Sequence, residues 1–203
     1  AARGASDEDV VDKVQRHLTR QQSTSTYWPG DEELTETLRS VPFYRRFPQP
    51  MQRMLLQAIE DWYRGYTQIG PSKTGIRMHR DKNQVEHLLP RAWQSHWPVS
   101  DAAAEADRDE HVHRLGNLTL ITGSLNASVS NGPWLGDDGK RAAIHRHDVF
   151  LMNRAIVDSS ADGWDERRID ERTEEMITAV AATWPVPQGH EGKTIDRSSR
   201  LSK

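Results

Sequence analysis

Two short stretches hold the residues able to do chemistry. One is Gln84-Val85-Glu86-His87-Leu88-Leu89-Pro90. The other is His113-Arg114-Leu115-Gly116-Asn117-Leu118-Thr119-Leu120-Ile121-Thr122, continuing through Leu125-Asn126 to Ser130-Asn131. Each joins an apolar run of strand length to polar groups that make poor core: a Glu-His pair in the first, three asparagines in the second. A histidine near its ordinary pKa of about 6.5 can take a proton from water. A carboxylate and an amide oxygen suit a hard divalent cation, which offsets charge on a phosphate and its leaving oxygen. Glu86, His87 and the asparagines supply that set. The pattern suggests one metal-assisted phosphodiester-hydrolysing site built from a strand, a second strand and a helix.

Such a site needs particular elements around it. The first strand surrounds the Glu-His pair, and Pro90 stops it, because proline cannot donate to a ladder. Neighbours on a regular strand face opposite ways. Glu86 and His87 therefore serve one site only where the strand ends or bulges. Leu118–Ile121 reads as the second strand. Thr122 or Ser124 can cap a short helix through Ser130, carrying Asn126 back toward the strands. Asn117 falls in the loop after Gly116, where it can bond backbone and fix the loop under His87. A zinc site is the rival reading. His111 and His113 lie at i, i+2, as do His145 and His147, a spacing that shares one face of a strand. The second pair falls in a helical pattern, where i, i+2 do not meet. His113 is then the member best placed to approach the site.

The rest reads as helical scaffold, so the expected class is α+β, predominantly helical. After a leader over residues 1–5, Ser6 and Asp9 resemble a capping box opening a helix to about Arg20, with Val10, Val14 and Leu18 on one side. Asp31-Glu32-Glu33 opens a second helix ending near Ser40, and residues 43–48 form a connector. A third helix follows Pro50, with Met54, Leu55, Ile59, Trp62 and Tyr63 as its core stripe. Residues 70–75 are a turn-rich break, and residues 91–110 a long insertion with one short helix. One helix is expected from Lys140 to about Ile156. A last long one starts at Asp165, with Ile169, Met176, Ile177 and Val180 inward, and ends at Trp184-Pro185. The expected divisions are an N-terminal helix and polar loop (1–27), one domain (28–186) and a flexible basic tail (187–203), with no internal repeat and no separate second domain.

Composition narrows the field. The 203 residues are 35% hydrophobic and 28% charged, as in soluble globular proteins. No run approaches the roughly 18 apolar residues of a membrane span, and no signal peptide opens the chain. There is no cysteine, which excludes disulfides and cysteine-based zinc sites and makes a cytoplasmic setting the default. The net charge of -3 does not advertise a nucleic-acid binder. Its distribution is more telling: Lys73, Arg77, Arg80, Lys82 and Arg91 crowd the approach to the Glu-His pair, while residues 101–110 are acidic.

At these residues the chain resembles the HNH, or ββα-metal, nucleases. More closely it is similar to the C-terminal nuclease domain of GmrSD-type modification-dependent restriction enzymes and of SspE-type proteins that sense phosphorothioate-modified DNA. The motifs are Glu86-His87-Leu88-Leu89-Pro90-Arg91, then Leu115 to Ile121, then Leu125-Asn126 and Ser130-Asn131. Outward matches at Trp28–Glu32, Tyr44-Arg45, Lys140, Trp164–Ile169, Arg172 and Trp184-Pro185 extend the resemblance over residues 28 to 186. It implies a small ββα-metal core in a helical shell. His87 would be the general base, Glu86 and Asn126 the metal ligands, and Asn117 the residue orienting the loop and His87. His113, Arg114, Asn131 and Lys140 would give support or phosphate contact. Glu86 stands where the acidic ligand is more often Asp. The implied activity is Mg²⁺- or Mn²⁺-dependent nicking or cleavage of double-stranded DNA, in the bacterial cytoplasm, as the effector of a restriction or anti-phage protein. Such proteins usually carry an N-terminal nucleotide-hydrolysing sensor domain, and no Walker-type loop occurs in this sequence. The alternatives are a DNA-binding module of the same fold without catalysis, and an RNase.

Overall fold

The apolar run Leu118-Thr119-Leu120-Ile121 is buried at every position, which marks a strand covered on both faces. In the computed structural model this is β2 (Leu118–Ile121), paired antiparallel with β1 (Gln84–His87); Gln84 lies opposite Ile121 and His87 opposite Leu118. The structure describes residues 7–23, 26–66, 79–81, 83–123, 131–146 and 149–194. The expected short helix carrying Asn126, the break over residues 70–75 and the leader with Ser6 lie outside them.

The helices among the described residues are α1 (Asp7–Thr19), α2 (Asp31–Ser40), α3 (Phe43–Arg46), α4 (Gln49–Tyr63), α5 (Ala102–His111), α6 (Lys140–Arg146), α7 (Leu151–Ser159) and α8 (Glu166–Thr183). The class is thus α+β and predominantly helical. The chain divides into two compact units, Ala1–Thr37 with Pro185–Lys203, and Leu38–Trp184. The hairpin and the residues around it lie in the second.

Within that unit α4 and α7 pack on β2, and α8 packs on the turn Leu115–Asn117 that leads into it. Trp93, Trp97, Trp134 and Trp164 join Leu88, Leu89, Ile144 and Ile169 in one core. The face of α4 that is buried differs from the expected stripe. Gln52, Leu56, Ile59 and Glu60 are inside, whereas Met54 is 48% exposed. Two polar side chains turn inward because each answers buried backbone. Gln52 donates to the Tyr44 and Phe47 carbonyls at 2.8 and 2.6 Å. Glu60 accepts from the Leu151 and Met152 N–H groups at 3.0 and 2.9 Å, and from Arg64.

The same glutamate explains a second correction. The helix expected from Lys140 to about Ile156 is two helices, with Phe150 in extended backbone between them. Glu60 takes the place of a cap at the start of α7 by binding two of its free N–H groups. Two other helix starts are conventional: Asp101 caps α5 and Asp165 caps α8 through their side chains. Residues 43–48, expected as a plain connector, contain the single turn α3. The inward face of α8 is the one expected, with Ile169, Met176, Ile177 and Val180 all buried.

In the first unit, Val10, Val14 and Leu18 of α1 are exposed. Residues 187–194, which the sequence places in a tail with little to bury, return to the stretch after Tyr27. Gly30 N–H donates to the Lys193 carbonyl at 2.9 Å, and the Tyr27 hydroxyl to the same oxygen at 2.8 Å. His190 is buried and lies 2.9 Å from the Trp28 carbonyl through Nε2. Gly30 permits this approach, since a Cβ there would sit 2.3 Å from the Glu191 carbonyl oxygen.

Candidate active site

β1 ends at His87, three residues before Pro90. Leu88 N–H still reaches the Asn117 carbonyl at 2.9 Å. One residue on, the Asn117 side chain takes over: Oδ1 accepts from Leu89 N–H and Nδ2 donates to the Leu89 carbonyl, each at 2.8 Å. Nδ2 also donates to the Val112 carbonyl at 2.8 Å, and Oδ1 accepts from Trp164 Nε1 at 3.1 Å. An asparagine amide has two donors and two acceptor sites, and all four are used. Asn117 is fully buried, and its four bonds hold the loop to the strand end.

The turn beneath is clamped by α8. Thr173 accepts from Gly116 N–H at 3.1 Å, and Arg172 Nη1 donates to the Gly116 and Leu118 carbonyls at 2.6 and 2.7 Å. A Cβ on Gly116 would lie 2.0 Å from the Ile169 carbonyl oxygen, so only glycine allows this contact.

His87 is 5% exposed, and its Nε2 has no hydrogen-bond partner among the described residues. The Tyr44 ring meets it edge-on at 4.3 Å between centroids, and the His113 ring lies 5.5 Å away. Tyr44 also stacks on His113 at 5.9 Å and carries the Arg91 guanidinium at 5.8 Å. Backbone fixes this cluster, since Tyr44 N–H donates to the His113 carbonyl at 3.0 Å. Burial, reinforced by His113, Arg91 and Lys140, pushes the His87 pKa down to about 3. The imidazole is therefore neutral, with a free lone pair. His113 is likewise held below its usual range, first by burial and then by Arg45 and Arg91, and its buried Nδ1 has no partner among the described residues.

The Glu86 and His87 side chains have separate neighbours, as alternation on a strand demands, Lys140 for the first and Tyr44 and His113 for the second. Lys140 Nζ bridges them: it donates to the His87 carbonyl at 2.7 Å and to Glu86 Oε1 at 3.3 Å. Lys140 is 2% exposed, and its burial lowers the ammonium pKa against the opposing pull of Glu86. The Glu86 side chain stays 24% exposed.

Residues 28–179 match a sequence family described as the GmrSD restriction endonucleases, C-terminal domain. The chain belongs to this family. No curated protein sequence matches the chain. The family bears out the GmrSD part of the resemblance, over nearly the span read from the motifs.

Within this GmrSD-type domain the remaining candidates are dispersed. Asn126, Lys73, Arg77 and Lys82 lie outside the described residues. Asn131 is exposed. Arg114 is paired with Asp170 at 2.8 Å, and Arg80 with Asp61 at 2.5 Å. His111 ends α5, with Nδ1 2.7 Å from the Asp107 carbonyl and Nε2 facing Asp170. It is not on a strand with His113. His145 is exposed on α6, and His147 lies outside the described residues. Among the described residues no three His, Asp or Glu side chains group as a metal would need.

Tyr44, Trp164 and Arg172 were visible in the sequence only as parts of the family pattern. Their contacts here show what they do: one packs on both histidines, one completes Asn117, one ties the turn. No local motif marks them, because their partners lie far off in the chain; Trp164 and Asn117 are 47 residues apart.

Proposed function

We propose that this GmrSD-type domain is a divalent-metal-dependent endonuclease that nicks or cuts double-stranded DNA, as the effector of a modification-dependent restriction or anti-phage protein. The observation that carries this reading is His87: a neutral, buried imidazole whose Nε2 has no partner among the described residues, at a strand end that Asn117 fixes.

His87 acts as general base. Its Nε2 accepts a proton from the water that attacks phosphorus. Burial makes the free imidazole a weak base, but a phosphodiester seated beside it brings negative charge that raises its pKa. Asn117 and Lys140 hold the backbone on either side of the ring, and Tyr44 holds the ring itself. Mg²⁺ or Mn²⁺ is the cofactor proposed. Glu86 fits it as a hard oxygen ligand, partly exposed and paired to Lys140 through Oε1 alone among the described residues. Asn126 would be the second ligand. When bound, the cation would offset charge on the phosphate and its leaving oxygen. Phosphate contacts, Arg91 among them, would give affinity with little sequence preference. The setting proposed is the bacterial cytoplasm, with a nucleotide-hydrolysing sensor domain on the same full-length protein. Among the described residues no helix is long and apolar enough to cross a membrane.

The Glu86–Lys140 pair favours one rival, a DNA-binding module of this fold without catalysis, because the ammonium occupies a carboxylate oxygen. Plasmid nicking decides between them, run with Mg²⁺, Mn²⁺ and chelator in parallel. The wild-type chain should nick with a cation and not with chelator, and His87→Ala should lose about 10²–10⁴-fold in rate or more. Wild-type speed in His87→Ala refutes the base assignment. No nicking of supercoiled plasmid with either ion supports the rival, and cutting confined to structured RNA supports an RNase.

A further inference from the structure

Beside His113 runs a groove of about 470 Å³ lined by Ser40, Arg45, Asp109, Glu110 and Arg114, among others. Its charges are unevenly committed. Asp109 accepts from Trp93 Nε1 at 2.9 Å. Arg114 is shared between Asp170 at 2.8 Å and Glu110 at 4.0 Å. Arg45, by contrast, is exposed and makes no ion pair among the described residues; its charge is felt at His113. Arg91 is exposed too and, among the described residues, rests on the Tyr44 ring without an ion pair. On the groove wall His113 is 6% exposed, with Nδ1 lacking a partner among the described residues. At His113 the two arginines outweigh Asp109, which pulls its pKa the other way. Two guanidinium groups without an ion pair among the described residues thus lie close to the His113 imidazole, Arg45 along the groove and Arg91 over Tyr44, whose ring touches both His87 and His113.

The geometry points to Arg45, Arg91 and His113 as a subsite for a backbone phosphate of the substrate strand, adjacent to the phosphodiester attacked beside His87. Guanidinium forks match phosphate oxygens in bidentate pairs, and an imidazole N–H adds a donor. This inference rests on the nuclease reading and gives it a location for strand binding. It also moves the phosphate-binding role away from Arg80, which the sequence grouped with Arg91. Arg80 is committed to Asp61.

The test measures binding without cleavage. Fluorescence anisotropy of a short labelled duplex is recorded in EDTA across a salt series, with the 203-residue chain and its Arg45→Ala, Arg91→Ala, double and Arg80→Ala variants. Removing either subsite guanidinium should flatten the plot of log affinity against log salt by about 0.9, and removing both by about 1.8. Arg80→Ala should leave the slope at the wild-type value. Both subsite arginines are exposed, so circular dichroism should show the wild-type fold. An unchanged slope in the folded double variant overturns the subsite. An equal drop in Arg80→Ala also overturns it, because charge alone would then be what DNA senses. Failure of the nuclease reading shows separately, as no nicking of supercoiled plasmid by the wild-type chain with Mg²⁺ or Mn²⁺.

Discussion

Asn117 binds Leu89 as a second peptide unit would, through a pair of 2.8 Å hydrogen bonds to its N–H and its carbonyl. The side chain thus replaces the ladder where β1 and β2 part. The strand ends because an amide from the facing turn intercepts it, and the proline downstream only confirms the ending. His87 is the last residue of β1, two positions before the interception, so its backbone is pinned from both sides of the strand end.

Asn117→Asp should therefore be costly. The aspartate keeps the acceptors but removes both donors, leaving the Leu89 and Val112 carbonyls unpaired in a fully buried place. Each unsatisfied group costs on the order of 1–3 kcal/mol, and a buried carboxylate adds to that. Urea unfolding should show a loss of about 3 kcal/mol or more at neutral pH, with nicking impaired even where the variant is folded. A loss under about 1 kcal/mol would mean that these bonds do not set the turn.

Lys140 tests the other side of β1. Lys140→Met keeps most of the buried volume and deletes the donor to the His87 carbonyl and the partner of Glu86. Removing a buried ammonium also removes its desolvation cost, so stability should move by only about 1 kcal/mol. The nicking rate should fall about 10- to 100-fold, the range typical when a residue that orients catalytic groups is lost. Parallel kinetics and urea melts separate the two effects. Normal nicking by the variant would show that the bridge from Glu86 to the His87 carbonyl positions nothing.

The sequence reveals the parts of this site that are local, and hides the parts that are not. Glu86, His87 and Asn117 stand in two windows whose apolar runs also encode the hairpin, so residue type and element could be read together. Lys140 comes from 53 residues beyond His87, and Arg172 from 56 beyond Gly116. Hydropathy also misleads wherever a polar side chain is buried to serve backbone. Gln52 and Glu60 turned the buried face of α4 away from its apparent stripe, and Glu60 split one expected helix into α6 and α7. Periodicity cannot register either event, because the stabilising partner is a backbone group elsewhere in the fold.

The Arg108–Glu166 pair gives a prediction with a defined pH window. Arg108 is 8% exposed and holds Glu166 through Nε and Nη2, the second at 3.2 Å, while its Nη1 caps the Trp97 carbonyl. Burial alone would raise the Glu166 pKa, but Arg108 and a backbone donor more than offset it, so the carboxyl lies below its usual range. A depressed folded pKa means stabilisation that is complete above the unfolded value of about 4.3 and is lost as pH falls through the folded one. The pair lies between an exposed one and a fully buried one, so Glu166→Gln should cost about 2 kcal/mol at pH 7. Other carboxyls titrate alike in both proteins, so the difference between their urea midpoints isolates this group. That difference should hold from about pH 7 to about pH 5 and close as the pH drops below about 4. A gap that stays constant into acid would show that Glu166 stabilises the junction of α5 and α8 by packing, with no contribution from its charge.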